Sequence, residues 1–186
     1  MRRDLSALTG RTFDLLVVGG GITGACLAHD AALRGLSVAL VEKGDFGGAT
    51  SAASSKLLHG GIRYLQQARP GKVRESAVER LAFLRIAPHL VRWVPFLLPT
   101  MRDPGKGRWL LGAGILAYRA IVAGHAGGLA NPAQRPPGER FMPRDEVVAR
   151  YPLLGALQGL TGAWVIHEAH MHSSERMTLA FLETAV

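Results

Sequence analysis

The sequence predicts an α/β fold that opens with a strand–helix–strand unit on a parallel sheet. Residues 13–18 form a short apolar run between polar residues and glycine, which is typical of a strand buried on both faces. Residues 22–33 follow as a predicted helix rich in small residues, and Gly35 lies where a helix end favours a left-handed residue. Residues 38–41 resume as a strand. Three such elements within roughly 30 residues imply parallel pairing with a right-handed crossover.

The middle of the chain is predicted to hold helices separated by a proline-rich connection. Residues 49–58 are small and polar and then predicted to be helical, up to the break at Gly60 and Gly61. Apolar residues at helical spacing predict a helix over residues 72–86, which Pro88 ends. Three prolines within residues 95–104 indicate an extended, irregular connection. The later predicted elements are, in order, a helix at 109–122, a loop at 131–138, a short helix at 141–151, a strand at 162–166 and a helix at 173–185.

Composition fits a folded chain with an uneven positive charge. The 186 residues are 48% hydrophobic, which is enough for one domain or a little more. The formal net charge is +8, and residues 63–108 alone hold ten Lys or Arg against three acids. Nucleic acid, an anionic membrane surface and a phosphorylated small molecule are all compatible with such a patch, as is a solvated helix face.

The sequence argues against a disulfide, a metal site and a membrane span. The single Cys26 rules out an internal disulfide or a cysteine-rich metal site. His167, His170 and His172, with Glu168, lack the spacing of a known metal motif, so we expect no metal site. The nearest candidate for a membrane span, residues 109–123, is short and interrupted by a charge, so we expect no transmembrane helix.

A dinucleotide motif lies between the first strand and the first helix. Gly19, Gly21 and Gly24 form G-x-G-x-x-G, and Glu42 follows 23 residues after Gly19, at the end of the second strand. In a Rossmann-like fold the first glycine permits a tight turn, the second lets the backbone approach a pyrophosphate, and the third allows close packing of helix on strand. The helix N-terminus attracts the phosphates, and Glu42 is predicted to accept hydrogen bonds from ribose hydroxyls.

A second motif at residues 50–64 favours a flavin over a nicotinamide cofactor. Small hydroxyl residues can bond phosphate oxygens, while paired glycines remove side chains where the backbone passes a flat ring. The residues predicted to bind the cofactor here are Thr50, Ser51, Ser55, Lys56, His59, Gly60 and Gly61.

With these residues in view, the sequence resembles the FAD-dependent glycerol-3-phosphate dehydrogenases. The resemblance is carried by VVGGGITG at 17–24, ATS at 49–51, SSKLLHGGIRYL at 54–65, ER at 79–80, APHL at 87–90 and, more loosely, SER at 174–176. It implies transfer of a hydride from the secondary carbinol of sn-glycerol 3-phosphate to FAD, which gives dihydroxyacetone phosphate. In relatives the electrons pass on to a membrane quinone or, in some, to oxygen.

The resemblance also implies roles for individual residues. Arg63 is the candidate for gripping the substrate phosphate, because a guanidinium offers a two-pronged donor, and Tyr64 adds a hydroxyl. His59 would contact or tune the flavin, although a merely packed histidine is an equal alternative. No residue is assigned as catalytic. The expected partners are a phosphorylated small molecule, a quinone and an anionic membrane surface, with no nucleic acid.

The architecture implied is an incomplete one. We expect residues 1–90 to form the N-terminal part of an FAD-binding domain, and residues 91–186 to begin an α+β substrate domain and return to the FAD domain. Enzymes of this type are much longer than 186 residues, so we expect this chain alone to bind FAD weakly and to be inert. A cytoplasmic location is expected, with peripheral contact at the inner face of the cytoplasmic membrane. Two alternatives stay open: an FAD-dependent amine or amino-acid oxidase, and a noncatalytic module that docks on membranes through residues 63–122.

Overall fold

A computed structural model describes residues 6–123, 129 and 131–185. The helices and strands are, in chain order, β1 (Leu15–Val18), α1 (Ile22–Leu33), β2 (Val38–Val41), β3 (Leu57–Leu58), α2 (Pro70–Ile86), β4 (Val91–Met101), α3 (Arg108–Val122), β5 (Arg140–Pro143), α4 (Arg144–Arg150), β6 (Leu160–Met171) and α5 (Ser174–Glu183). The fold is mixed α/β, as the sequence predicts.

The chain forms two compact units. The N-terminal unit comprises residues up to 56 together with those from 171 onward, and the central unit comprises residues 57–170. The chain thus returns to its first unit near its end.

In the N-terminal unit, β1 and β2 pair in parallel, from Leu15 opposite Val38 to Val18 opposite Val41. The predicted bounds of α1 and β2 are confirmed to the residue, and Gly35 has the expected left-handed conformation, with φ of 79°. Ala25, Ala28 and Ala31 on α1 are buried, and α1 packs on α5. The rings of His29 and Phe181 meet edge to face there, with centroids 5.3 Å apart.

In the central unit, β6 lies at the centre of an antiparallel arrangement. It pairs with β3, where Leu58 faces Ala169, and with β5, where Phe141 faces Trp164. The strand order β3–β6–β4 places β4 at an edge. The buried face of α2 carries the apolar residues that its helical spacing predicts, namely Val73, Ala77, Leu81 and Leu84.

Three sequence predictions about the elements are wrong in detail. Residues 49–54 form turns rather than a helix, because glycines at 47 and 48 begin a tightly turning segment that then enters β3. Residues 95–101 of the predicted irregular connection belong to the 11-residue strand β4, since an edge strand tolerates Pro95 and Pro99, which lack a donor. Residues 141–143 are strand, and α4 begins after Pro143 because a residue that precedes proline disfavours the helical conformation.

The third helix exposes a large part of its apolar surface. Gly112, Ile115 and Tyr118 are buried, whereas Trp109 is 82% exposed and Leu116 is 65% exposed. Across the part of the chain that the structure describes, no helix combines the length and the apolar character that a membrane span needs.

Candidate functional site

The turn between β1 and α1 depends on two glycines that contact each other. Gly19 has φ of +110°, which few residues with a side chain adopt, and its N–H donates to the carbonyl of Val41 at 2.8 Å. A Cβ atom on Gly24 would overlap the carbonyl oxygen of Gly19 and would lie 3.3 Å from Val17. Both glycines therefore let the helix begin directly against the strand.

Glu42, at the end of β2, fixes the glycine loop. Its two carboxylate oxygens accept the peptide N–H groups of Gly20 and Gly44, each at 2.7 Å. These hydrogen bonds, with that of Gly20 the larger effect, hold the pKa of Glu42 below its usual value. An ionised carboxylate has about four lone-pair positions, so capacity remains for ribose hydroxyls. The predicted role of Glu42 toward a cofactor is compatible with this second role in the loop.

The segment after β2 packs on the same loop. The N–H of Gly47 donates to the carbonyl of Gly20 at 2.9 Å. A Cβ atom on Gly20 would overlap the ring of Phe46. Sequence reasoning assigned no role to Gly20 or Phe46, because the contact joins residues that no local pattern connects.

The N-terminus of α1 presents unpaired peptide donors. Gly21 is the N-cap and provides no side-chain cap. The hydroxyl of Ser51 accepts the N–H of Ile22 at 2.9 Å. The N–H groups of Thr23 and Gly24 belong to the first turn, so they have no partner within the helix. These donors, together with the positive end of the helix dipole, fit an anionic group such as a phosphate.

A cavity of about 780 Å³ runs along this turn. It is lined by residues 16–19, 21–24, 27, 42–45 and 47–51. Its volume lies within the range of small-molecule and cofactor sites, roughly 300–1,000 Å³. Glycine peptides, the helix N-terminus and the carboxylate of Glu42 are the groups that a dinucleotide requires for its pyrophosphate and ribose, so the residues present fit such a cofactor.

The predicted cofactor residues divide between the two units. Gly19, Gly21, Gly24, Glu42, Thr50 and Ser51 are brought together around the cavity of the N-terminal unit. Ser55 and Lys56 belong to the same unit but do not line that cavity. The segment His59 to Tyr64 belongs to the central unit.

Lys56 has a structural partner that the sequence did not indicate. Its ammonium lies 3.4 Å from the carboxylate of Glu175 at the start of α5. The hydroxyl of Ser173 donates to the same carboxylate at 2.6 Å, and this bond is the main reason that the pKa of Glu175 falls from 4.5 to about 2. The carbonyl of Lys56 also accepts the N–H of Met171 at 2.8 Å. Lys56 thus joins the end of the turning segment to the start of α5.

In the central unit, the segment from His59 to Tyr64 has two buried glycines, whereas its polar side chains His59 and Arg63 are exposed. Gly61 has φ of +76° and starts a 3-10 turn at Ile62–Leu65. A Cβ atom on Gly61 would lie 2.9 Å from that of Ser76. His59 and Arg63 are exposed, and the rings of His59 and Tyr64 stand edge to face with centroids 6.3 Å apart.

A buried charged cluster was missed from the sequence. Arg80 donates to Glu168 at 2.6 Å and to the Tyr118 hydroxyl at 2.9 Å. Burial raises the pKa of that hydroxyl. Arg80 falls on the same helical stripe as Ala77 and Leu84, so a charge on an apolar face was the available signal. Among the described residues, no three His, Cys, Asp or Glu side chains are arranged to hold a metal ion.

Comparison with known proteins identifies the family. Residues 14–186 match the family described as FAD dependent oxidoreductase. The chain belongs to the FAD-dependent oxidoreductase family. FAD is the cofactor of this family.

Three similar proteins are glycerol-3-phosphate dehydrogenases. Glycerol-3-phosphate dehydrogenase 1 of Mycobacterium tuberculosis (strain ATCC 25618 / H37Rv) is 43% identical over 187 residues, which cover 98% of this chain and 35% of the relative. A probable mitochondrial glycerol-3-phosphate dehydrogenase of Caenorhabditis elegans is 37% identical, over 95% of this chain and 24% of the relative. The crystal structure of the Bacillus halodurans enzyme complexed with FAD has a TM-score of 0.64 at 26% identity, over 97% of this chain and 26% of that chain. This FAD-dependent oxidoreductase chain thus spans about a third of the length of the mycobacterial relative.

The contact between Gly24 and Gly19 yields a first prediction. We expect Gly24→Ala to lower the free energy of unfolding by about 1–3 kcal/mol, because the added methyl forces α1 away from β1. In the complete protein, the amount of FAD that co-purifies should fall with it. Gly114→Ala on α3 is the matched control, because nothing lies within 4 Å of a Cβ atom there, and it should leave FAD content unchanged. Equal FAD content in the two variants would contradict the proposed role of the turn.

The pKa of Glu175 yields a second prediction. Because this pKa is lowered from 4.5 to about 2 in the folded chain, the ionised carboxylate stabilises the fold above the unfolded value. That contribution is lost as pH falls toward 2. Urea unfolding measured from pH 6 to pH 2 should show a smaller loss of stability on acidification for Glu175→Gln than for the unchanged chain. If the free energy of unfolding falls equally for the unchanged chain and for Glu175→Gln between pH 6 and pH 2, ionised Glu175 does not stabilise the fold.

Proposed function

We propose that the complete protein, meaning the polypeptide in which this chain occurs, oxidises sn-glycerol 3-phosphate to dihydroxyacetone phosphate with FAD as cofactor. The observation that carries the proposal is the 43% identity, over 98% of the chain, to a glycerol-3-phosphate dehydrogenase. The same likeness favours this substrate over the amines or amino acids of related oxidases. The 186-residue chain alone is proposed to bind FAD weakly and to be inert, because it spans 35% of that relative.

The glycine turn and its surroundings are proposed to hold the cofactor. The peptides of the turn and the first N–H groups of α1 would bind the pyrophosphate, and Glu42 would accept the ribose hydroxyls. Thr50, Ser51, Ser55 and Lys56 are proposed as further cofactor contacts, as are His59, Gly60 and Gly61. When bound, FAD supplies the acceptor for the hydride that leaves the substrate.

Arg63 is proposed to bind the phosphate of the substrate. Its side chain is exposed, and it forms no salt bridge with a residue that the structure describes. A guanidinium without an internal carboxylate partner remains available for a phosphate, which it can bind through two parallel hydrogen bonds. Tyr64 is half-buried beside it in the same turn and offers a hydroxyl.

The electron acceptor is proposed to be a membrane quinone, with peripheral contact at the inner face of the cytoplasmic membrane. Support comes from α3, where Trp109 and Leu116 are exposed and the cation of Arg108 lies over the Trp109 ring. Co-sedimentation with liposomes that contain anionic lipid should fall for Trp109→Ala with Leu116→Ala, and the loss should exceed that for Leu153→Ala, another exposed apolar residue. Equal binding by the unaltered protein, the double variant and Leu153→Ala would exclude α3 as the membrane contact. Binding that persists without FAD while sn-glycerol 3-phosphate is not oxidised would favour a noncatalytic membrane module.

The role of Arg63 gives a further prediction. In the complete protein, Arg63→Ala should lower kcat/KM for sn-glycerol 3-phosphate by about 10- to 100-fold, mainly through KM, because a hydrogen bond to a charged group is worth about 1.5–3 kcal/mol. Arg63→Lys should recover part of the loss. Dye-linked reduction at varied substrate concentrations gives kcat and KM for each variant.

The control for this prediction is Arg92→Ala, which removes one exposed positive charge from β4. It separates the loss of a specific contact from a general loss of positive charge. Equal effects of the two substitutions would contradict a phosphate contact of Arg63.

A further inference from the structure

The central unit contains an ion pair that water barely reaches. Arg80 is 7% exposed and Glu168 is 8% exposed, and their closest atoms, Nη1 and Oε2, lie 2.6 Å apart. The guanidinium also donates to the Tyr118 hydroxyl and lies over the ring of Trp93, 5.0 Å from its centroid. Burying two charges costs free energy that their attraction often fails to recover, so such a pair is weak evidence for a role in stability.

The same carboxylate oxygen holds a glycine of the second motif. Oε2 of Glu168 accepts the N–H of Gly60 at 2.8 Å, so the backbone and the guanidinium share one acceptor atom. The absence of a side chain at Gly60 is a requirement of this cluster. A Cβ atom there would overlap the hydroxyl of Tyr118 and would lie 2.5 Å from Nη1 of Arg80.

Gly60 is thereby confined by three elements of the central unit. Arg80 comes from α2, Tyr118 from α3 and Glu168 from β6. On either side of the confined glycines the chain becomes accessible again, at His59 and at Arg63. A buried anchor beside exposed polar side chains is the arrangement expected where a loop has to present those side chains at fixed positions.

We propose that Arg80 and Glu168 are positioning residues for the segment that carries His59 and Arg63. Glu168 holds the peptide of Gly60, and Arg80 holds Glu168 and prevents the carboxylate from turning away. The pair acts through the backbone and touches neither substrate nor cofactor. This inference rests on the proposed function, because the role of Arg63 toward the substrate phosphate is proposed there.

Two matched double variants separate positioning from charge burial. Arg80→Met with Glu168→Gln removes both charges and keeps a carbonyl acceptor for Gly60, whereas Arg80→Met with Glu168→Met removes the charges and the acceptor. Glutamine and methionine are similar in length, so packing changes little between the variants. Replacing both charged partners avoids an uncompensated buried charge.

Hydrogen–deuterium exchange of the segment around Gly60, measured in the complete protein, is the first readout. The Gly60 amide should be protected in the unaltered protein, near its unaltered rate with glutamine at 168, and about tenfold faster with methionine. The second readout is steady-state kinetics: KM for sn-glycerol 3-phosphate should rise about 10- to 100-fold more with methionine than with glutamine. kcat should change less than KM.

The proposal is overturned if the two double variants show the same exchange and the same KM. It is also overturned if the Gly60 amide exchanges freely in the unaltered protein, a measurement that needs no variant to fold. Faster exchange with an unchanged KM would overturn it as well, since the anchor would then not serve the substrate. If the unaltered protein does not oxidise sn-glycerol 3-phosphate, the proposed function fails, while the exchange data still decide whether Glu168 holds Gly60.

Discussion

Carboxylates that accept glycine N–H groups fix the backbone at both glycine segments of this chain. Glu42 accepts from Gly20 at 2.7 Å, and Glu168 accepts from Gly60 at 2.8 Å. Glycine has the widest conformational freedom of any residue, so a segment rich in glycine needs an external restraint before it can present groups to a ligand. A hydrogen bond to an ionised acceptor is about twice as strong as a neutral one, which suits it to this purpose. Each of the two units thus has a carboxylate that restrains its own glycine segment.

The glycines are explained as much by their protein neighbours as by a ligand. Gly20 contacts Phe46, Gly24 contacts the backbone of Gly19, and Gly60 contacts Arg80, so a methyl group would collide at each position. A dinucleotide motif is usually understood as space for the cofactor. Here the same glycines are also required by packing. Loss of cofactor on substitution would therefore combine a change in the fold with a change in the site, which is why a helix glycine in open space is the appropriate control.

The parts that the sequence predicted well are those in which the information is local. The helix and the second strand of the strand–helix–strand unit have the expected bounds, because apolar periodicity and glycines mark each end within a few residues. The strand β4 was missed because its two prolines argue against a strand, and only the arrangement of the sheet shows that it lies at an edge. The pair Arg80 and Glu168 is separated by 88 residues, so no spacing rule could join its members.

The substrate is the claim on which the rest of the functional account depends. Its most direct measurement is the visible absorbance of the flavin in the complete protein, followed without oxygen while candidate substrates are added. We predict that sn-glycerol 3-phosphate bleaches the flavin and yields dihydroxyacetone phosphate, whereas glycine and sarcosine leave the spectrum unchanged. Bleaching by glycine or sarcosine with none by sn-glycerol 3-phosphate would contradict it and would identify an amine or amino-acid oxidase.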